Sequence, residues 1–238
     1  MANILLVHGS WYGAWCWERV APRLTKRGHR VVAIDLPAHG ADPTSIGDVT
    51  LSAYADACAR AIDELGAPAV VVGHSMAGAV LSTLAEASPD RVATLVYVAA
   101  YLLRDGESIF QLAMTDADSR LGPHLRPDEA EGVIAVAPEG FGAALASGCV
   151  DVDVSRAREA ARPDPLRPLA TPVRVTPERF GAVARTYVHT LADHAVSTSL
   201  QAEMLAATAT PTLTLDAGHS PFLSHPSELA ELVERAMS

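Results

Sequence analysis

The chain has 238 residues, 49% of them hydrophobic and 19% charged, with a net charge of −10 at pH 7. That length fits one α/β domain, which buries roughly 70–75% of its unfolded surface without disulfide or metal staples. The negative charge serves solubility and argues against nucleic acid or an anionic membrane surface as a partner.

Residues 4–7 predict a strand, 14–27 a helix, and Arg30–Ile34 a second strand. The start carries neither a basic segment nor an apolar run long enough for a secretory signal, and no run reaches the length of a membrane span. The expected place is the cytoplasm. Leu51–Leu65 has helical spacing, with Leu51, Tyr54, Ala55, Cys58, Ile62 and Leu65 on one stripe. An apolar run over 67–72, read as a strand over 69–72, leads into a helix-compatible stretch over 79–86, and Val92–Val98 reads as the next strand. Strands this apolar, separated by helices, predict an α/β fold with a mostly parallel sheet of about six strands covered on both faces.

The rhythm breaks between Arg104 and Gly181. Pro123, Pro127, Pro138, Pro163, Pro165, Pro168, Pro172 and Pro177 fall here, among short helical pieces over 108–114 and 156–161. The segment cannot extend a parallel sheet and is too apolar for a disordered linker. We expect a lid at 104–181, inserted into a core made of 1–103 and 182–238. The strand–helix rhythm returns with a strand over 184–190, a helix over 198–207, the strand Thr212–Leu215 and a closing helix over 227–237.

Gly73-His74-Ser75-Met76-Ala77-Gly78 sits between the strand at 69–72 and the following helix. This is the context of a nucleophile elbow, with Ala77 in place of the usual second glycine. Small neighbours allow the sharp turn that lifts the Ser75 hydroxyl clear of the sheet. A serine hydroxyl is a poor nucleophile until a base takes its proton, so the elbow requires a histidine and an orienting carboxylate. On such folds they follow in the order acid, then histidine.

His219, in Asp216-Ala217-Gly218-His219-Ser220-Pro221, follows the strand Thr212–Leu215 and falls at the carboxyl edge of the sheet, so it is the candidate base among nine histidines. The acid is expected at the end of the preceding strand. Asp193 fits; Asp216 is the competitor, but only three residues from His219 it is better placed to brace its own loop. An oxyanion hole needs two backbone N–H groups. Met76, directly after the nucleophile, supplies one, and Ser10, in His8-Gly9-Ser10-Trp11 after the first strand, supplies the other. His8 is read as a prop for that loop, His74 as packing or bonding locally, and Trp11, Trp15 and Trp17 as core or pocket wall. Cys16, Cys58 and Cys149 have no C-x-x-C spacing and suggest neither a disulfide framework nor a zinc site. No metal or organic cofactor is required.

The run from Val7 to Trp17 (Val7-His8-Gly9-Ser10-Trp11-Tyr12-Gly13-Ala14-Trp15-Cys16-Trp17) resembles the plant methylesterase and hydroxynitrile lyase family of α/β-hydrolases and its bacterial esterase relatives. Gly28-His29, Ala33-Ile34-Asp35-Leu36, the elbow, Tyr97-Val98-Ala99-Ala100-Tyr101-Leu102, Ala192-Asp193 and Gly218-His219-Ser220-Pro221-Phe222-Leu223 continue the resemblance over nearly all the chain except the lid. It implies Ser75, Asp193 and His219 as a catalytic triad, with Ser10 and Met76 as oxyanion donors. The lyases of that family carry a lysine directly after the catalytic histidine, whose charge holds the leaving cyanide. Here that position is Ser220, which favours ester hydrolysis.

The expected activity is that of a serine carboxylester hydrolase working through an acyl-enzyme on a small to medium, largely apolar ester. The alternative within the fold is a lyase or cyclase acting on a polyketide-like intermediate, its pocket shaped by Ile109, Phe110, Leu112 and Met114. A ligand receptor that keeps the triad as a relic is a third reading. The partner is a small-molecule substrate, with no nucleic acid and no membrane; a homodimer is compatible with the sequence, which does not assign the oligomeric state.

Overall fold

A computed structural model describes residues 1–66 and 68–237. Ala67, at the head of the apolar run, and Ser238, the last residue of the expected core, lie outside the described residues.

Six strands form one sheet: β1 (Asn3–Val7), β2 (Arg30–Ile34), β3 (Ala69–His74), β4 (Val92–Val98), β8 (Arg185–Thr190) and β9 (Thr212–Leu215). Their order is β2-β1-β3-β4-β8-β9, and every pairing is parallel. β3 is buried along its whole length, as its run of valines requires in a sheet covered on both sides. The chain starts in the interior at β1, winds outward to β2 and then crosses back to β3, so strand order reverses between β1 and β3. Loops leaving the carboxyl ends there diverge and leave a crevice.

α2 (Leu51–Leu65) buries Leu51, Tyr54, Ala55, Cys58, Ile62 and Leu65, the whole expected stripe, and Ala61 with them. The Thr50 hydroxyl caps it by accepting the Ala53 N–H at 3.0 Å. α3 (Ala77–Ala87), α8 (Thr198–Thr208) and, after the short α9 (Pro221–Ser224), α10 (Pro226–Ala236) stand close to the helices expected at 79–86, 198–207 and 227–237. The single helix expected over 14–27 is instead a 3-10 turn, Ala14–Trp17, followed by α1 (Ala21–Lys26). Two features divide it. Asp35 pulls the Ala14 N–H to its carboxylate at 2.7 Å, and Pro22 fits only the first turn of a helix.

Residues 104–181 add no strand to the central sheet. They hold α4 (Ile109–Thr115), α5 (Pro138–Gly140), α6 (Asp151–Ala160), α7 (Leu166–Ala170), and an antiparallel sheet of β5 (Leu125–Asp128), β6 (Val133–Val136) and β7 (Asp164–Pro165). Ser108 and Gln111 close a reciprocal capping box on α4. Side chains bind this segment to the rest. The Arg19 guanidinium clasps the Asp153 carboxylate with two bonds of 2.7 and 2.6 Å, and the Trp11 indole N–H donates to the Ile134 carbonyl at 2.9 Å. No helix among the described residues is long and apolar enough to cross a membrane.

Candidate active site

The site is assembled from loops that leave five neighbouring strands, β1, β3, β4, β8 and β9. Ser75 joins β3 to α3 with φ of 55°, a left-handed conformation that costs a non-glycine residue about 1–3 kcal/mol. The surroundings hold it there: its N–H donates to Val98 O at 3.2 Å, and its carbonyl accepts the N–H groups of Gly78 and Tyr101, both at 3.1 Å. Trp11 after β1 (φ 64°) and Ala99 after β4 (φ 47°) share the left-handed region, so three adjacent strand ends are strained around one crevice. Gly73 and Gly78 permit the tight turn. A Cβ on Gly73 would lie 2.6 Å from Leu81 Cδ1, and one on Gly78 would collide with the Tyr101 carbonyl.

His219, on the loop after β9, is brought to Ser75: its Nε2 accepts the Ser75 hydroxyl at 3.0 Å. Its Nδ1–H donates to Asp193 Oδ2 at 2.8 Å. A carboxylate only accepts, so Asp193 fixes the tautomer that leaves Nε2 free as a base. All three side chains are buried. The competitor Asp216 is exposed, and the carboxylate bonded to His219 Nδ1 is that of Asp193.

Asp193 is itself saturated. Oδ1 accepts the N–H groups of Ala195 and Val196 at 2.8 and 3.1 Å, and Oδ2 also accepts from the Thr190 hydroxyl at 2.9 Å and the Gln201 amide at 3.0 Å. This network fixes the orientation of the buried carboxylate. Thr190 and Gln201 escape sequence reasoning because nothing local marks them. Gln201 lies on α8, eight residues beyond Asp193, and only the packing of that helix returns its amide.

His74 packs, as expected, against the rings of Tyr12 and Phe222, but its bond is not a local one. Its Nε2–H donates to the carbonyl of His219 at 2.7 Å, so the residue before the nucleophile holds the loop of the base. Burial, and then the neighbouring His219, hold the His74 imidazole well below its ordinary value, so it stays neutral. His8 props its loop as expected: Nδ1–H donates to Gly9 O at 2.8 Å while Nε2 accepts the Leu36 N–H at 3.1 Å. Burial, with His39 nearby, depresses His8 to about 3.

His39 meets the Asp164 carboxylate at 3.2 Å, with both side chains fully buried. The alignment falls short of a hydrogen bond on either side, and the pair is an ion pair only when His39 is protonated. Burial alone would lower His39; Asp164, the Pro37 carbonyl and Asp35 together outweigh it and leave the imidazole raised.

Ser10 lines the same cavity as Ser75 and His219. The backbone N–H groups of Ser10 and Met76 make no hydrogen bond to any described residue, which leaves both as spare donors beside the serine. Ser220 is buried and fully engaged: its hydroxyl donates to Leu145 O at 2.6 Å and accepts from the Tyr12 hydroxyl at 2.8 Å. Position 220 therefore supplies no positive charge beside His219.

The cavity over Ser75 has a volume of about 210 Å³. Apolar side chains of α4 (Ile109, Phe110, Ala113, Met114) form one wall, and Leu125, Ile134 and Leu169 continue it. Trp11 serves as wall and Trp17 as core. Among the described residues, no group of three His, Cys, Asp or Glu side chains is placed to hold a metal ion.

Comparison with known proteins agrees with this architecture. Methylesterase 7 of Arabidopsis thaliana is 30% identical over 245 residues, covering 97% of this chain and 94% of that protein. Putative chloroplastic methylesterases of Arabidopsis that it matches are longer, and the chain spans between 55% and 70% of them. Polyneuridine aldehyde esterase superposes over the full length of both chains with a TM-score of 0.89 at 21% identity. A pyrethroid hydrolase from Sphingobium faniae JZ-2 does so with 0.87 at 24%, covering 99% of this chain and 97% of its own. At those identities the two structures speak for the fold alone. A family profile described as alpha/beta hydrolase spans residues 4–232, and with the parallel sheet, the elbow at Ser75 and the methylesterase relatives it gives the lineage: this chain belongs to the alpha/beta hydrolase family.

Proposed function

We propose that the protein is a serine carboxylester hydrolase acting on a small to medium, largely apolar ester. The observation that carries this reading is the continuous chain from the Ser75 hydroxyl through His219 to Asp193, opening into an apolar cavity. Ser75 Oγ attacks the ester carbonyl as His219 Nε2 takes its proton. The oxyanion settles against the Ser10 and Met76 N–H groups, which have no other acceptor. Asp193 stabilises the imidazolium, which then protonates the departing alcohol. Water repeats the sequence on the acyl-enzyme and frees the acid.

In this reading residues 104–181 act as a lid over the core of 1–103 and 182–238, with α4 as the wall that admits substrate and excludes water. The fully bonded Ser220 favours hydrolysis over a lyase step, since position 220 supplies no cation beside His219 to receive a departing anion. The methylesterase relative supports ester chemistry in general terms.

Hydrolysis of p-nitrophenyl acetate by purified wild type and Ser75→Ala tests the reading. The expected loss is on the order of 10⁴-fold or more. Equal rates in the two proteins would rule it out.

A further inference from the structure

Five tyrosines occur in the chain, and four have bonded hydroxyls. Tyr12 bonds Ser220 at 2.8 Å, Tyr97 bonds Ser82 at 3.0 Å, Tyr187 donates to Ala100 O at 2.8 Å, and Tyr54 reaches His39 at 3.5 Å. The hydroxyl of Tyr101 bonds no described residue, although the residue is only 8% exposed. Tyr101 also touches the chemistry: its N–H donates to the Ser75 carbonyl, and the residue lines the cavity.

The rest of the wall has no comparable group. The Trp11 indole N–H is spent on Ile134, the wall carries no charged side chain, and Ser10, Ser75 and His219 belong to the reaction as read above. A buried hydroxyl that an apolar ligand strips of water without replacing its bond is costly. Burial also raises the phenol above its ordinary value, so it stays protonated and able to donate.

The geometry points to Tyr101 as a specificity-determining residue: the preferred substrate is a neutral ester whose apolar body carries one further oxygen acceptor, keto or ether, that receives the Tyr101 hydroxyl. The inference rests on the ester-hydrolase reading. It adds that the pocket discriminates among apolar esters by one internal oxygen. Charged substrates are excluded by the same wall, which has no counter-ion to offer.

The test compares methyl heptanoate with methyl oxoheptanoates bearing the keto group at carbons 3 to 6, on wild type and Tyr101→Phe. Intrinsic reactivity differs between these esters but cancels between the two proteins. Wild type is expected to favour at least one keto ester on the order of tenfold in kcat/KM. Tyr101→Phe is expected to erase that preference, lowering kcat/KM for the favoured keto ester on the order of tenfold relative to methyl heptanoate. If no keto ester is favoured, or the preference survives in Tyr101→Phe, the assignment is overturned. Dissociation constants for the same pairs on Ser75→Ala, with and without Tyr101→Phe, measure the preference in the absence of turnover. Ester hydrolysis and oxygen recognition can therefore fail separately.

Discussion

Replacing Gly9 with alanine puts the geometry of the Ser10 loop to a quantitative test. A Cβ at Gly9 would lie 2.7 Å from Ser75 Cβ, 2.8 Å from His74 Nδ1 and 3.0 Å from His74 O. Ordinary contact begins at 3.4 Å, so loop and elbow must separate by about 0.7 Å. The elbow is the stiffer side, because His74 is bonded to the His219 carbonyl and Ser75 to Val98. The loop therefore yields and carries the Ser10 N–H away from the oxyanion. A displacement approaching 1 Å, or the loss of one oxyanion donor, each cost about 10² in rate.

Gly9→Ala is thus predicted to lower kcat on a p-nitrophenyl ester about 10²-fold with little change in KM. Overpacking costs about 1–3 kcal/mol, which for a chain of this size lowers Tm by about 2–4 °C per kcal/mol. Gly47→Ala is the control, since nothing lies within 4 Å of its Cβ and its φ is not left-handed. A Gly9→Ala enzyme with kcat within threefold of wild type would refute the reasoning.

Two further predictions concern the charged and titrating groups. Asp193→Asn is expected to cut kcat by about 10⁴ through the wrong imidazole tautomer, while Asp216→Asn stays within about twofold; steady-state kinetics of the pair decides between the two carboxylates. Acid stability is set by His8, whose imidazole titrates at 6.5 when unfolded and at about 3 when folded. Neutral His8 thus contributes stability that is complete above pH 6.5 and is lost as pH falls toward 3, up to about 5 kcal/mol at 1.36 kcal/mol per unit. His74, also held low, adds a term of the same sign. His39, held high by Asp164 against burial, acts oppositely: its contribution is complete below 6.5 and fades as pH rises through its folded value. Tm followed from pH 8 to 4 should fall steadily below 6.5, and His8→Asn should flatten that fall; a flat wild-type profile would contradict the account.

The parts legible in the sequence are those where chemistry and local pattern coincide. Valines over β3 read as a strand buried on both faces, and the glycines flanking Ser75 read as a turn because each one's missing Cβ is needed for close approach. His219 and Asp193 follow from strand order, since both leave the carboxyl edge of neighbouring strands. Less legible is what depends on distant contacts. The bond from His74 to the His219 carbonyl spans 145 residues, and no spacing announces it. The sheet of β5, β6 and β7 hides among prolines because Pro127 and Pro165 lie on its two edge strands, where a missing N–H does no harm, and the four apolar residues of β6 between them are too short a run to announce it. The break between the 3-10 turn and α1 turns on Asp35, a residue outside the helix pattern altogether.

Covalent trapping of the nucleophile reaches the central claim most directly. Reaction with a p-nitrophenyl phosphonate ester, followed by peptide mass spectrometry, is predicted to place one label per chain on Ser75, in step with the loss of esterase activity. The label should vanish in Ser75→Ala and form at least about 10² more slowly in His219→Ala, where the base is gone. Labelling at another residue, or full esterase activity in protein whose Ser75 is blocked, would contradict the account.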